Sequence, residues 1–245
     1  MPADERTPTA DALREGSLGL LARSEVELRG RLPWSSNATF LATLSYEGAT
    51  MAAVYKPGRG ERPLWDFPRG LFLRELAAYR FSEALGWGLV PETVVRSDGP
   101  LGPGSFQRFV EADFSQHYFT LLEQPEHHAA LRTIALFDAA ANNADRKSGH
   151  CLLDGDGRIW AIDNGLCFNE HPHLRTVIWD FAGEPVPPHL LADLERVTAS
   201  PGPGLEELLE PGELAALSER VSALSRAKVL PDPGTSRRAY PWPLV

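Results

Sequence analysis

The sequence predicts an α+β fold in two lobes, an antiparallel sheet with one helix followed by a mainly helical half. Three observations predict it. Alternating apolar runs crowd the first hundred residues, one stretch of helical spacing interrupts them, and longer helical periodicities broken by a hairpin signal fill the rest.

Residues 1–15 read as a mobile lead-in, and the N-terminal lobe runs over 16–110. Leu18 to Leu28 has mixed periodicity and reads as a strand. Thr39 to Tyr46 alternates, Glu47-Gly48 turns the chain, and Thr50 to Tyr55 returns, which is a hairpin pattern. Pro57 to Arg69 is rich in Gly, Pro and Arg and reads as a loop. Gly70 to Leu85 has helical spacing, with Gly86 and Gly88 as stop signals. Val90 to Arg96 and Ser105 to Val110 complete the sheet. The C-terminal lobe, 111–230, holds helical stretches at Pro125 to Ala141, Leu190 to Val197 and Gly204 to Leu224. Cys151 to Leu153 and Arg158 to Ile162 flank the turn Asp154-Gly155-Asp156-Gly157 and read as a second hairpin. The Pro-rich tail, 231–245, reads as loosely held.

Composition narrows the function classes. The 245 residues are 43% hydrophobic and 23% charged, enough for a sizeable core. The net charge of −9, 33 acidic against 24 basic residues, argues against a nucleic-acid partner and against adsorption to anionic lipid. Cys151 and Cys167 make no disulfide framework and have no metal-ligand spacing. The polar N-terminus has no signal-peptide core and no stretch approaches a membrane span, so the expected location is cytoplasmic.

Four polar residues fall at element ends in an informative order. Lys56 ends a strand in Val54-Tyr55-Lys56-Pro57, and Glu75 lies in the following helix. Asp145 lies in a polar loop after a long helix. Asp163 follows an apolar strand in Ala161-Ile162-Asp163-Asn164-Gly165. Phosphoryl transfer needs these kinds of group, because its transition state spreads negative charge over the phosphoryl oxygens. A lysine can reach nucleotide phosphates and a glutamate can hold it extended. One carboxylate binds Mg²⁺, which prefers oxygen ligands, and another orients the attacking hydroxyl and accepts its proton.

In that order and spacing, residues 35–168 resemble type II phosphatidylinositol 4-kinases and short actinobacterial phosphatidylinositol 3-/4-kinase-like proteins. Tyr55-Lys56-Pro57 resembles the ATP-lysine strand, and Glu75-Leu76-Ala77-Ala78-Tyr79 the motif of its partner glutamate. Gly104-Ser105-Phe106-Gln107-Arg108-Phe109-Val110-Glu111 resembles the strand entering the hinge. Asn143-Ala144-Asp145-Arg146 resembles the catalytic loop, and Ala161 to Phe168 the metal-binding segment.

The resemblance implies a two-lobed protein-kinase-like fold that uses ATP and Mg²⁺. It implies that Asp145 is catalytic, with Asn143 and Arg146 beside it. Lys56 and Glu75 would serve the phosphates, and Ser35, Ser36 and Asn37 would stand in the phosphate-covering loop. Phe109, Val110 and Glu111 would form the adenine hinge, and Asp163 would bind metal.

Two departures shape the expectation. Related kinases commonly carry Asn five residues after the catalytic Asp, where this chain has His150, a donor better suited to Mn²⁺ than to Mg²⁺. The segment Gly58 to Gly70 lacks the cysteines of the lipid-modified insertion found in type II lipid kinases. The expected acceptor is therefore a protein hydroxyl or a soluble metabolite, without a stable membrane anchor. A phosphoinositide lipid kinase and an ATP-binding regulator with little catalysis are the alternatives. Trp179 and Phe181 lie where an acceptor groove or a core contact is expected.

Overall fold

The computed structural model describes residues 10–33, 37–199, 201–234 and 239–244, with side chains described outside 10–15 and 199. The chain divides into two compact units. One is drawn from residues up to 62 and from 92–109, the other from 63–91 and from 110 onward.

The first unit opens with helix α1 (Ala10–Arg23) and strands β1 (Glu25–Arg31), β2 (Phe40–Tyr46) and β3 (Ala49–Pro57). It is completed by β4 (Thr93–Arg96) and β5 (Gly104–Arg108). The sheet order is β1-β2-β3-β5-β4, antiparallel throughout. Glu47 and Gly48 both take positive φ, 49° and 84°, which lets a two-residue turn follow the twist of β2 and β3. Leu21, Leu44, Ala53, Tyr55 and Phe106, all 0% exposed, form one apolar cluster. The rings of Tyr55 and Phe106 stack with centroids 4.4 Å apart.

The expected strand over Leu18 to Leu28 is corrected here. The chain is helical to Arg23 and extended only from Glu25. Its mixed periodicity is two periods laid end to end. Leu21 packs from α1 into the cluster, whereas Val26 and Leu28 alternate along β1 against it.

The second unit holds α2 (Leu71–Leu85), α3 (Tyr118–Leu122), α4 (His128–Ala141), α5 (Pro188–Ala199) and α6 (Pro211–Ala227). It also holds the hairpin of β6 (Cys151–Leu153) and β7 (Ile159–Ala161). Left-handed Gly70 and Gly86 bound α2, the second being the stop that the glycine signal predicts. The hairpin turn is fastened by Asp154, whose side chain accepts from the amides of Asp156 and Arg158 and from Trp160 Nε1 at 2.7–3.0 Å. Helix α3 has no strong sequence signal, being only five residues long.

Residues 63–91 belong with the second unit, whereas the sequence reading put them in the first lobe. Polar bonds hold α2 there. Arg80 donates to Gly204 O, Arg196 to Leu85 O, and Trp87 Nε1 to Asp193 at 3.0 Å. The tail is also partly packed rather than loose. Ala239 is 4% exposed, and its carbonyl accepts from the Thr176 amide and from Trp179 Nε1. Leu244 O accepts from the Ser148 amide. Phe181 is a core residue, with Arg132 over its ring. Among the described residues no helix is long and apolar enough to cross a membrane.

Candidate functional site

Helix α4 delivers the loop that carries Asp145. Its last two turns, Ile134 to Ala141, are buried all round, yet Asp138 lies among them at 0% exposure. A buried carboxylate must be paired, and Asp138 is paired several times over. It accepts from Arg146 Nε and Nη2 at 2.9–3.1 Å and from Asn143 Nδ2 at 3.0 Å. Asn142, left-handed at φ 55°, ends the helix and turns the chain into the loop. Asn143 Oδ1 then accepts the Asp145 amide at 3.0 Å.

Arg146 joins this loop to the turn after β7. Nη1 donates to Ile162 O at 2.5 Å and Nη2 to Asn164 Oδ1 at 2.7 Å. One guanidinium thus grips the chain on both sides of Asp163. Asp163 itself has φ 58°, a conformation that a non-glycine residue holds only when its surroundings impose it. From α2, Glu75 Oε2 accepts the Asn164 amide at 3.1 Å. A Cβ on Gly165 would come within 3.3 Å of Glu75 Oε1, so glycine permits this approach. The Asp163 carboxylate, 49% exposed, projects from a turn that is otherwise buried.

Asp145 titrates abnormally. Burial pushes its carboxyl up to about 6, and the charge of Asp163 adds to the rise, while Lys147 opposes it. Lys147 Nζ lies 3.4 Å from Asp145 Oδ2. At neutral pH the group is ionised but close to its proton-accepting range, which suits a general base.

His150 sits beside Asp163, its Nε2 3.3 Å from Asp163 Oδ2. Its Nδ1 accepts from the Lys147 amide at 3.3 Å. In the neutral imidazole that arrangement leaves the proton on Nε2, aimed at Asp163. The imidazole thus lies against the carboxylate expected to bind metal.

Among the described residues no group of three His, Cys, Asp or Glu side chains is arranged to hold a metal ion. Mg²⁺ seldom uses such a cage, being bound by one or two carboxylates together with substrate phosphates. The oxygen donors of Asp163 and Asp145, close enough for one to raise the pKa of the other, fit that pattern.

The remaining expected residues are placed as follows. Lys56, half-buried on β3, pairs across the ladder with Ser105 of β5. Ser35 and Ser36 lie outside the described residues, and Asn37 Oδ1 accepts the Arg62 amide at 3.0 Å. The Phe109 amide donates to Ala52 O at 3.0 Å in the first unit. Val110 is buried with Leu152 and Trp160 in the second unit, and Glu111 is exposed. Asn143 and Arg146 are both 0% exposed, and both donate to Asp138. Sequence reasoning missed Asp138, Asn164 and Lys147. An Asp inside the apolar run Ile134 to Ala141 was the available signal for the first.

No family model matches the chain. Among solved structures, hydra Fam20 with sugar overlays with a TM-score of 0.56 at 13% identity, covering 93% of this chain and 91% of that one. The Helicobacter pylori proinflammatory kinase CtkA gives a TM-score of 0.49 at 13% identity, covering 86% and 94%. The N-terminal antiparallel sheet and helical C-terminal part form a kinase-like fold, and the likeness to hydra Fam20 bears on the fold alone. A Mycobacterium tuberculosis protein, Protein Rv2133c, is 37% identical over an alignment 272 positions long with its gaps, which covers 96% of this chain and 97% of the relative. At that identity over nearly its whole length, the chain belongs to the family of the mycobacterial protein Rv2133c.

Proposed function

We propose that this chain is an ATP-dependent phosphotransferase related to the phosphatidylinositol 3-/4-kinases, which moves the γ-phosphate of ATP to a hydroxyl of a protein or soluble metabolite. The observation that carries the reading is Asp145, a half-buried carboxylate with a pKa near 6, fastened through Arg146 to the turn that presents Asp163.

In this reading Asp145 accepts the proton of the acceptor hydroxyl as its oxygen bonds to the γ-phosphorus. The bond from that phosphorus to the β,γ-bridging oxygen breaks, and ADP leaves with the electron pair. Lys147, 3.4 Å from Asp145, keeps the carboxylate oriented and lowers its proton affinity. Asp163, with Asp145, would hold Mg²⁺ or Mn²⁺, which neutralises phosphate charge when bound. His150 aims Asp163. Lys56 contributes the ammonium for the phosphates and Glu75 the carboxylate that holds it extended. Backbone groups of Phe109 to Glu111 meet adenine, and Ser35, Ser36 and Asn37 cover the phosphates.

The test is incubation of the pure protein with γ-labelled ATP and metal, alongside lysate proteins, soluble metabolites and inositol-lipid vesicles. Label on a protein or metabolite, lost in Asp145→Ala, is the expected result. Label on inositol lipid alone would move the acceptor to the membrane. Thermal stabilisation by ATP without any turnover in Mg²⁺ or Mn²⁺ would make the protein a nucleotide-binding regulator.

A further inference from the structure

The segment carrying Asp163 is held at two ends, and only one of them is explained by the residues assigned so far. Arg146 and Glu75 fasten Ile162 and Asn164, at its start. At its far end lie Cys167, Phe168 and Asn169. Phe168 takes φ 67°, so the stretch runs from one left-handed non-glycine residue to another. Two such residues five positions apart hold their conformation only if both ends are fixed from outside.

The far end is fixed by helix α6. Arg74, 4% exposed, donates from Nη1 to Cys167 O at 2.6 Å and from Nη2 to Glu213 Oε1 in the first turn of α6. The Phe67 ring covers the same guanidinium at 5.2 Å. Glu213 is itself oriented, because Oε2 accepts the Glu210 amide at 3.0 Å in a capping box. Arg220, seven residues on and so on the same face of α6, donates from Nη1 to Asn169 O at 3.2 Å. Its Nε donates to Ala140 O at the end of α4 at 3.0 Å. Arg74 is buried and Arg220 half-buried, and each donates to a main-chain carbonyl of this one segment. For stability alone, apolar side chains of similar volume would serve as well.

We propose that one face of α6 positions the Asp163 segment, with Glu213 acting through Arg74 and Arg220 acting directly, so that the last helix of the chain sets the geometry of the metal-carrying turn. The proposal rests on the phosphotransferase reading for its consequence, and on the contacts alone for its geometry. Neither Glu213 nor Arg220 touches substrate. They act on where Asp163 points, as outer residues do around other metal sites.

Two readouts test it, each below the melting temperature of every variant. Hydrogen exchange over residues 161–170 should quicken about tenfold or more in Glu213→Gln, as this fastening opens independently of the global fold. Mn²⁺ binding with a non-hydrolysable ATP analogue, followed by electron paramagnetic resonance, should weaken about tenfold. Binding of the analogue without metal should stay unchanged within about twofold. The neutral pair Arg74→Gln with Glu213→Gln keeps donors for Cys167 O and should recover most of both losses. If Glu213→Gln does not fold, Arg220→Lys reads the same two quantities.

A wild-type chain that takes up Mn²⁺ with the analogue, matched by an equally tight Glu213→Gln, overturns the α6 brace and leaves the phosphotransferase reading standing. A wild-type chain that takes up none defeats that reading. The brace is then decided by exchange, where equal rates in wild type and Glu213→Gln overturn it.

Discussion

The two units hold their candidate functional residues by different means. In the sheet unit, Lys56 is fixed by a backbone ladder, with Ser105 opposite and an apolar cluster of Tyr55, Phe106 and Leu44 in the same sheet. In the helical unit, Asp145 and Asp163 are fixed by buried charge. Asp138 and Arg146 are both 0% exposed, and Arg74 and Glu213 are nearly so. A ladder tolerates loss of a single side chain because its bonds belong to the backbone. A buried ion pair does not, because each partner leaves the other uncompensated. Stability and function should therefore separate in the sheet unit and remain coupled at the buried ion pairs of the helical one.

The strongest way to break that contrast is to compare Asp138→Asn with Lys56→Met. Asp138→Asn should cost about 3–5 kcal/mol of stability, by leaving Arg146 buried without its counter-ion. Lys56→Met should cost less stability than Asp138→Asn, while turnover falls about a hundredfold or more. Chemical denaturation of both variants checks it. Equal losses would erase the distinction.

A second test uses pH. In the metal-free chain the carboxyl of Asp145 is raised from 3.8 to about 6. Between those values the folded state binds a proton that the unfolded state releases, so this contribution to stability declines as pH rises from about 4 to about 6. At pH 8 the ionised group then costs the fold about 3 kcal/mol. Melting curves in chelator should show Asp145→Asn more stable than wild type at pH 8 and level with it near pH 4. With the metal bound, turnover of the wild type should fall only at a pH below about 6, because the cation favours the ionised carboxylate.

A smaller effect probes the ladder itself. A Cβ on Gly104 would lie 2.5 Å from Lys56 O and 2.8 Å from Pro57 Cα, which are backbone atoms that cannot swing aside. Gly104→Ala should cost about 1–3 kcal/mol and disturb the strand that carries Lys56. The smallest effect concerns metal choice. His150→Asn replaces the imidazole beside Asp163 with a hard oxygen donor, and should raise the ratio of Mg²⁺- to Mn²⁺-supported turnover by about three- to tenfold.

Much of this was legible in the chain. The β2–β3 hairpin, the start and stop of α2 and the β6–β7 hairpin carry local signals in alternation, glycine and Asp-Gly pairs, and those signals depend on neighbours in sequence. The Leu18 to Leu28 stretch misled because a helix turn and a strand overlap within eleven residues, and neither period runs long enough to dominate. The tail misled because prolines report the absence of regular structure, not the absence of contacts. Ala139 and Ala140 likewise conceal that Asp138 between Phe137 and them is the counter-ion of a residue eight positions away.

Apart from α1 and α3, the sequence by itself determined the order of the elements and singled out the four polar residues at their ends, because spacing, turn chemistry and element boundaries are local properties. Only the tertiary structure decided that Arg146 spans Asp163, that His150 lies beside it, and that Glu213, through Arg74, and Arg220 of the last helix reach the same segment. Those bonds join residues between 13 and 139 positions apart in the chain, as from Arg74 to Glu213 and from His150 to Asp163. Pairings at such separations leave no periodicity to read, since what selects them is the cost of burying a charge without a partner.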